Sequence, residues 1–150
     1  MDTRGWAAQL GSMAPDLQTW VLFLRTAGIL HLMTLGFACI TPIPPDWEAN
    51  LAKLPEVHRR FAQAQNIFIG AVIAASGMVS FIYAPLLAER TTLARVICLG
   101  IALWWGGRLF VLPWLKAHRH LRTPALRIGF VLLLAECAIF AAGYGYLALA

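Results

Sequence analysis

The residues that could do chemistry are few, and they lie where charge is expensive. His31, Arg108 and Glu136 each interrupt a long apolar run, and Arg25 interrupts the first of these runs a second time. An ionisable side chain in a spanning segment costs about 2.5–3.5 kcal/mol on insertion scales, so it is kept for pairing, ligand binding or proton handling. Depth can be counted at about 1.5 Å per helical residue from the ends of the runs nearest the first and third loops. On that count His31 lies about 14 Å deep, Arg108 about 10 Å and Glu136 about 16 Å, while Arg25 lies at about 22 Å, in the opposite half. The first three share one layer. Two kinds of chemistry follow. An Arg108–Glu136 ion pair would lock two helices together with His31 hydrogen-bonded beside it, or the same groups would hold a ligand, a cofactor or a proton.

The layer has neighbours that suit either role. Trp104 precedes Arg108 by one helical turn, which puts an indole ring within reach of the guanidinium. Gly106 and Gly107 remove bulk beside the charge. That space admits a neighbouring helix or leaves a groove for a headgroup, a quinone or an isoprenoid tail. Ala102 with Gly106, and Gly70 with Ala74, are small pairs spaced for close helix packing. Ala27 and Gly28 lie one turn before His31, an Ala-x-x-x-His arrangement that occurs where histidine ligates a tetrapyrrole. A haem or other tetrapyrrole is therefore the cofactor chemistry to test. A second histidine at matching depth is lacking, since His58, His118 and His120 all fall at or beyond the interface.

Other reactive patterns are missing from the sequence. It holds no Ser-His-Asp set, no glycine-rich phosphate loop, no CxxC pair and no clustered metal ligands, and Glu136 is the sole spanning acid. The chain does not read as an enzyme. Cys39, Cys98 and Cys137 fall at different depths, which suits three small apolar core residues rather than a disulfide.

These residues need elements to hold them, and composition says which. The 150-residue chain is 60% hydrophobic and 13% charged, against about 45–50% and about 25% in ordinary soluble domains. A water-soluble globule of this size could not cover so much apolar surface, and a disordered chain would not carry it. Four apolar runs, at about 17–40, 61–87, 93–115 and 125–149, are each long enough to cross a hydrocarbon core of about 30 Å. The strict alternation of barrel strands is absent. The fold class expected is all-α: one integral membrane domain built as a four-helix transmembrane bundle.

Punctuation supports these limits. Pro15-Asp16 suits a helix start, as do Pro55-Glu56 and Thr123-Pro124. The second helix should thus begin before its apolar run and carry Glu56, His58, Arg59 and Arg60 at the interface. Thr41–Trp47 is too rich in proline for a continuous helix and should form a stiff turn with Trp47 as an anchor. The short loop Glu89–Thr92 predicts an antiparallel hairpin of the second and third spans. Residues 1–16 lack a cleavable leader and read as an interfacial or disordered lead-in.

Charge sets the expected orientation. Lys53, Arg59, Arg60, Lys116, Arg119, Arg122 and Arg127 fall on the side of loops one and three, and only Arg4, Arg90 and Arg95 on the other. The positive-inside rule places loops one and three in the cytoplasm and both termini outside, in a bacterial inner (plasma) membrane. The net charge of +5 is then a matter of anionic lipid headgroups rather than nucleic acid. His118-Arg119-His120 reads as part of a headgroup-binding loop. The order of a spanning histidine, a loop and Arg59-Arg60-Phe61-Ala62, ending near Gly77, is similar to the start of CopD-like copper-resistance membrane proteins. Those residue types are common to membrane helices, and four methionines with four histidines are few for copper handling, so no family is assigned.

The function expected from these features is that of an accessory, structural or assembly subunit of a larger membrane complex, with partner subunits in the bilayer. Two alternatives use the polar layer directly: a lipid-, quinone- or tetrapyrrole-binding redox helper, and a small proton-coupled transporter with Glu136 as the titrating group.

Overall fold

The computed structural model describes residues 16–41, 46–116, 121 and 123–150. The lead-in before Asp16, the proline-rich turn at 42–45 and His118-Arg119-His120 lie outside the described residues. Six helices follow one another: α1 (Leu17–Ile40), α2 (Trp47–Ala52), α3 (Glu56–Ile82), α4 (Ala84–Ala88), α5 (Thr92–Trp114) and α6 (Pro124–Leu149). No strand occurs among the described residues. α1, α3, α5 and α6 are long and apolar enough to cross a membrane, and they form the four-helix bundle. Their outer faces expose Leu22, Phe68, Val96, Phe110 and Ile128, a covering suited to hydrocarbon rather than water.

Local chemistry sets the ends. Asp16 is the N-cap of α1, its carboxylate accepting from the Thr19 backbone N–H at 2.8 Å. Asp16 thus stands at the cap of the helix start that Pro15-Asp16 marks, not inside the first turn. Thr91 and Thr123 cap α5 and α6 in the same way, through Ala94 and Leu126, with Pro124 in the first turn of α6. α3 does begin at Glu56, ahead of its apolar run. Pro85 cannot donate a backbone hydrogen bond, and the helix breaks at Tyr83 and restarts as α4. Trp47, expected as a turn anchor, opens the short helix α2.

The closest pairings are α1 with α3 and α5 with α6. The second and third spans are joined by the predicted short turn, yet neither packs chiefly on the other. At the α1–α3 crossing the backbones nearly touch. A Cβ on Gly28 would stand 2.7 Å from the Gly77 carbonyl oxygen and 2.8 Å from the Phe81 nitrogen. Ala102 and Gly106 serve α5–α6 packing as their spacing predicts: a Cβ on Gly106 would stand 3.7 Å from the Ala141 Cβ, and one on Gly145 would stand 4.0 Å from the Ala102 Cβ.

Burial is lopsided along the bundle axis. In the four spanning helices every buried residue lies from His31, Ile73, Trp105 and Cys137 toward the end that carries the C-terminus and the α4–α5 turn. Toward the basic-loop end the facing residues, among them Leu35, Leu112, Phe130 and Leu133, are only half-covered. Among the described residues of the four spanning helices, the closed half is the one toward the C-terminal end, and the other half is more open.

Candidate functional site

The polar layer sits where the closed half meets the open half. Trp20 stacks on Tyr146 with ring centroids 4.9 Å apart, and the Arg90 guanidinium lies 4.9 Å from the Tyr146 centroid and 5.7 Å from that of Trp20. Paired aromatics with a cation are what a membrane–water boundary accommodates. From Trp20 to Ile40 is about 30 Å of helix, the thickness of a hydrocarbon core. His31 then lies about 16 Å from Trp20, and Glu136 about 15 Å from Tyr146. Both are near the midplane.

His31 is fully buried and fully bonded. Trp105 donates its indole N–H to His31 Nε2 at 2.8 Å. Indole nitrogen only donates, so Nε2 is the acceptor and the ring proton is on Nδ1. Nδ1–H in turn donates to the Ala27 carbonyl oxygen at 2.6 Å. The imidazole lies flat on Phe140, centroids 4.4 Å apart at 11°, and meets Trp105 and Tyr144 edge-on. One layer away, Tyr144 donates to the Ser80 hydroxyl at 2.6 Å. These contacts join the α1–α3 pair to the α5–α6 pair. Phe23 adds to the seam by filling the space that a Cβ at Gly143 would need.

The predicted Arg108–Glu136 ion pair does not form. Among the described residues the one ion pair is Glu56–Arg60, on the surface of α3. Glu136 turns instead to α1, where the Thr34 hydroxyl lies 2.8 Å and 2.7 Å from its two oxygens. Arg108 turns to its own helix, its guanidinium 5.9 Å from the Trp104 ring centroid and 5.4 Å from that of Trp105. The expected contact between Trp104 and Arg108 is present, and Trp105 shares it. Trp105 meets Phe140 beside His31, and Arg108 and Glu136 lie one turn from these rings toward the basic loops rather than level with His31.

The tetrapyrrole arrangement does not fit this chain. Both nitrogens of His31 are engaged, and the space beside Gly28 is filled by Gly77 and Phe81 of α3. Among the described residues no three His, Cys, Asp or Glu side chains converge as a metal site would require. Cys98 and Cys137 are buried core residues as expected, whereas Cys39 is exposed on the outer face of α1. Arg25 is exposed and makes no hydrogen bond or ion pair among the described residues. His58 and Arg60 are exposed near the start of α3, and Arg59 is half-buried.

Thr34, Ser80 and Tyr144 were not foreseen as part of this site. A signal for Thr34 existed: it follows His31 by three residues and so shares its face. Nothing in the spacing marked Ser80 or Tyr144.

Two features of the region remain open. A groove of about 300 Å³ between α3 and α5 is lined by Gln65, Phe68, Ile69, Val72 and Trp104. The indole N–H of Trp104 is buried without an acceptor among the described residues, as is that of Trp20. Compared with known proteins, the chain matches no family model, no curated protein and no solved structure.

Proposed function

We propose that this is a non-catalytic accessory subunit of a membrane complex, a bundle that binds and positions rather than reacts. The observation that carries the reading is Arg25. Its guanidinium-bearing side chain lies on the outer face of α1, about 7 Å along the helix from Trp20, with no partner among the described residues. A charge so placed is most cheaply met by an acid on a neighbouring subunit. The chemically capable groups support the same reading, because His31 and Glu136 are spent on holding the two helix pairs together. The orientation that fits the charge distribution has loops one and three in the cytoplasm of a bacterial inner membrane, with Arg59, Arg60, Lys116 and Arg127 facing anionic headgroups. Purification from native membranes in mild detergent tests the proposal. A stoichiometric membrane-protein partner should be retained by Arg25→Lys and lost with Arg25→Leu. A monodisperse protein that carries no partner, or a partner indifferent to Arg25→Leu, contradicts it.

A second reading is favoured by the open half of the bundle. Facing surfaces left half-covered beside an unpaired indole N–H suit a protein that holds a membrane amphiphile there. Bound small molecules extracted from the same preparation test this. An amphiphile present in molar proportion supports it, and only bulk lipid in bulk ratio opposes it. The proton-carrier reading has less support, since Glu136 is tied to Thr34.

A further inference from the structure

We infer that the more open half of the bundle is a water-filled vestibule, entered from the basic-loop end, which hydrates Thr34, Arg108 and Glu136 and stops at the rings around His31. These three groups are under-bonded. The Thr34 hydroxyl has a single hydrogen to share between both Glu136 oxygens, and a carboxylate has further lone pairs to satisfy. The Arg108 guanidinium faces two indoles. Among the described residues it meets no carboxylate and no hydrogen-bond acceptor. Both charged side chains are only half-buried. Glu136 bonds across the bundle to α1, and Arg108 leans on the enclosed Trp105, so both face inward. A charge inside a spanning segment faces a partner or water. With no partner for Arg108 in the bundle, water is the compensating species.

α3 supplies a polar wall above this floor. Ser80, Gly77 and Ile73 are its buried residues. Gly70 continues their face, its Cβ position 3.5 Å from Leu35 Cδ1. The same spacing of three and four carries that face on through Asn66, Gln63 and Arg59. Lipid chains filling this space would call for apolar residues at those positions. Gly77 is level with His31, its Cβ position 3.0 Å from the His31 Cβ. Asn66 then lies about 16 Å from that level and Glu136 about 6 Å, which makes the vestibule about 10 Å deep. Leu35, Leu112 and Leu133 complete the walls and are half-covered. Past the floor the packing closes, with His31, Trp105 and Tyr144 all 0% exposed. Water and an amphiphile would compete for this space, so one experiment separates the two, and the accessory-subunit reading depends on neither.

The test is thiol modification of the full chain in vesicles sealed in either orientation, with a charged, membrane-impermeant methanethiosulfonate. Cys39→Ala, Cys98→Ala and Cys137→Ala together give a background into which single cysteines are placed. Leu133→Cys and Leu112→Cys lie seven residues from Phe140 and Trp105 and share their inward faces. Val131→Cys and Phe110→Cys lie at nearly the same depths on the outer faces, where the native side chains are 63% and 80% exposed. Circular dichroism and elution volume confirm folding, and either inward position suffices for the comparison. The inward positions should react at least about tenfold faster than the outer ones, because the thiolate is the reactive form and it arises where water reaches. They should do so only with reagent on the basic-loop side. Native Cys98, kept as the single cysteine, should stay unmodified from both sides. Equal rates at inward and outer positions overturn the proposal, as does reaction of any of these cysteines from the C-terminal side alone, or modification of Cys98. If the inward positions take a lipid-soluble maleimide and not the charged reagent, hydrocarbon fills the space: the vestibule fails and the amphiphile reading stands.

Discussion

Replacing Trp105 by phenylalanine would remove the one donor that faces His31 Nε2 and leave a buried acceptor with nothing to accept. Both side chains are 0% exposed, so neither water nor lipid headgroup can substitute. An orphaned buried polar atom costs about 1–3 kcal/mol, and the atoms lost from the indole add roughly 1 kcal/mol of cavity cost. The single variant should therefore be destabilised by about 2–4 kcal/mol. His31→Phe keeps the stack on Phe140 and orphans the Trp105 N–H instead, with a cost of about 1–3 kcal/mol. In the double variant both partners are apolar and neither is orphaned. Its destabilisation should fall short of the sum by about 1–1.7 kcal/mol, at the upper end of couplings measured within bilayers because this pair is wholly enclosed. Reversible unfolding in mixed micelles, or steric trapping in bicelles, measures all four corners of the cycle. If the double variant equals the sum of the singles within about 0.5 kcal/mol, the hydrogen bond does not hold the helix pairs together.

Other consequences concern packing, the polar layer and the caps. Gly28→Ala drives a methyl group into the Gly77 carbonyl and should cost about 1–3 kcal/mol, whereas Gly36→Ala, with nothing within 4 Å of its Cβ position, should be neutral or slightly stabilising; equal thermal midpoints would refute the crossing geometry. Thr34→Val and Glu136→Gln should be strongly coupled in stability, and Arg108→Gln with Glu136→Gln less so; the reverse order would restore the direct ion pair. Asp16 should titrate below the ordinary aspartate range by NMR, because the Thr19 hydroxyl and then its backbone N–H stabilise the carboxylate. The cap's contribution is thus complete above the unfolded-state value and is lost as pH falls through the lower folded-state value. An Asp16 midpoint at or above the ordinary value would contradict the cap.

Much of the architecture was legible because hydrocarbon imposes a simple rule on composition. The first span runs from Leu17 to Ile40 in the sequence and in the structure, and Thr123-Pro124 marks the start of α6 in both. The common level of Arg108 and Glu136 was legible as a depth, since rise per residue is fixed. What depth does not give is rotation. Arg108 and Glu136 lie at one level, and each turns elsewhere, to the indoles of α5 and to Thr34 of α1. The charged residues drew the eye, yet the bonds that join the halves come from uncharged ones: Trp105 to His31 and Tyr144 to Ser80. Their partners are far apart in sequence, and no local pattern pairs them. The closest backbone approach was hidden for a similar reason. Gly28 and Gly77 lie on separate helices, and no spacing within either helix pairs them.

The central claim is that the bundle closes around a neutral His31 held between Ala27 and Trp105. Nitrogen-15 NMR of the protein in lipid tests this directly, through the scalar coupling transmitted across a hydrogen bond. A cross-peak between Trp105 Nε1 and His31 Nε2, with the imidazole in the Nδ1–H form alone, is the predicted result. An imidazole that exchanges between tautomers and shows no coupling to Trp105 would contradict it.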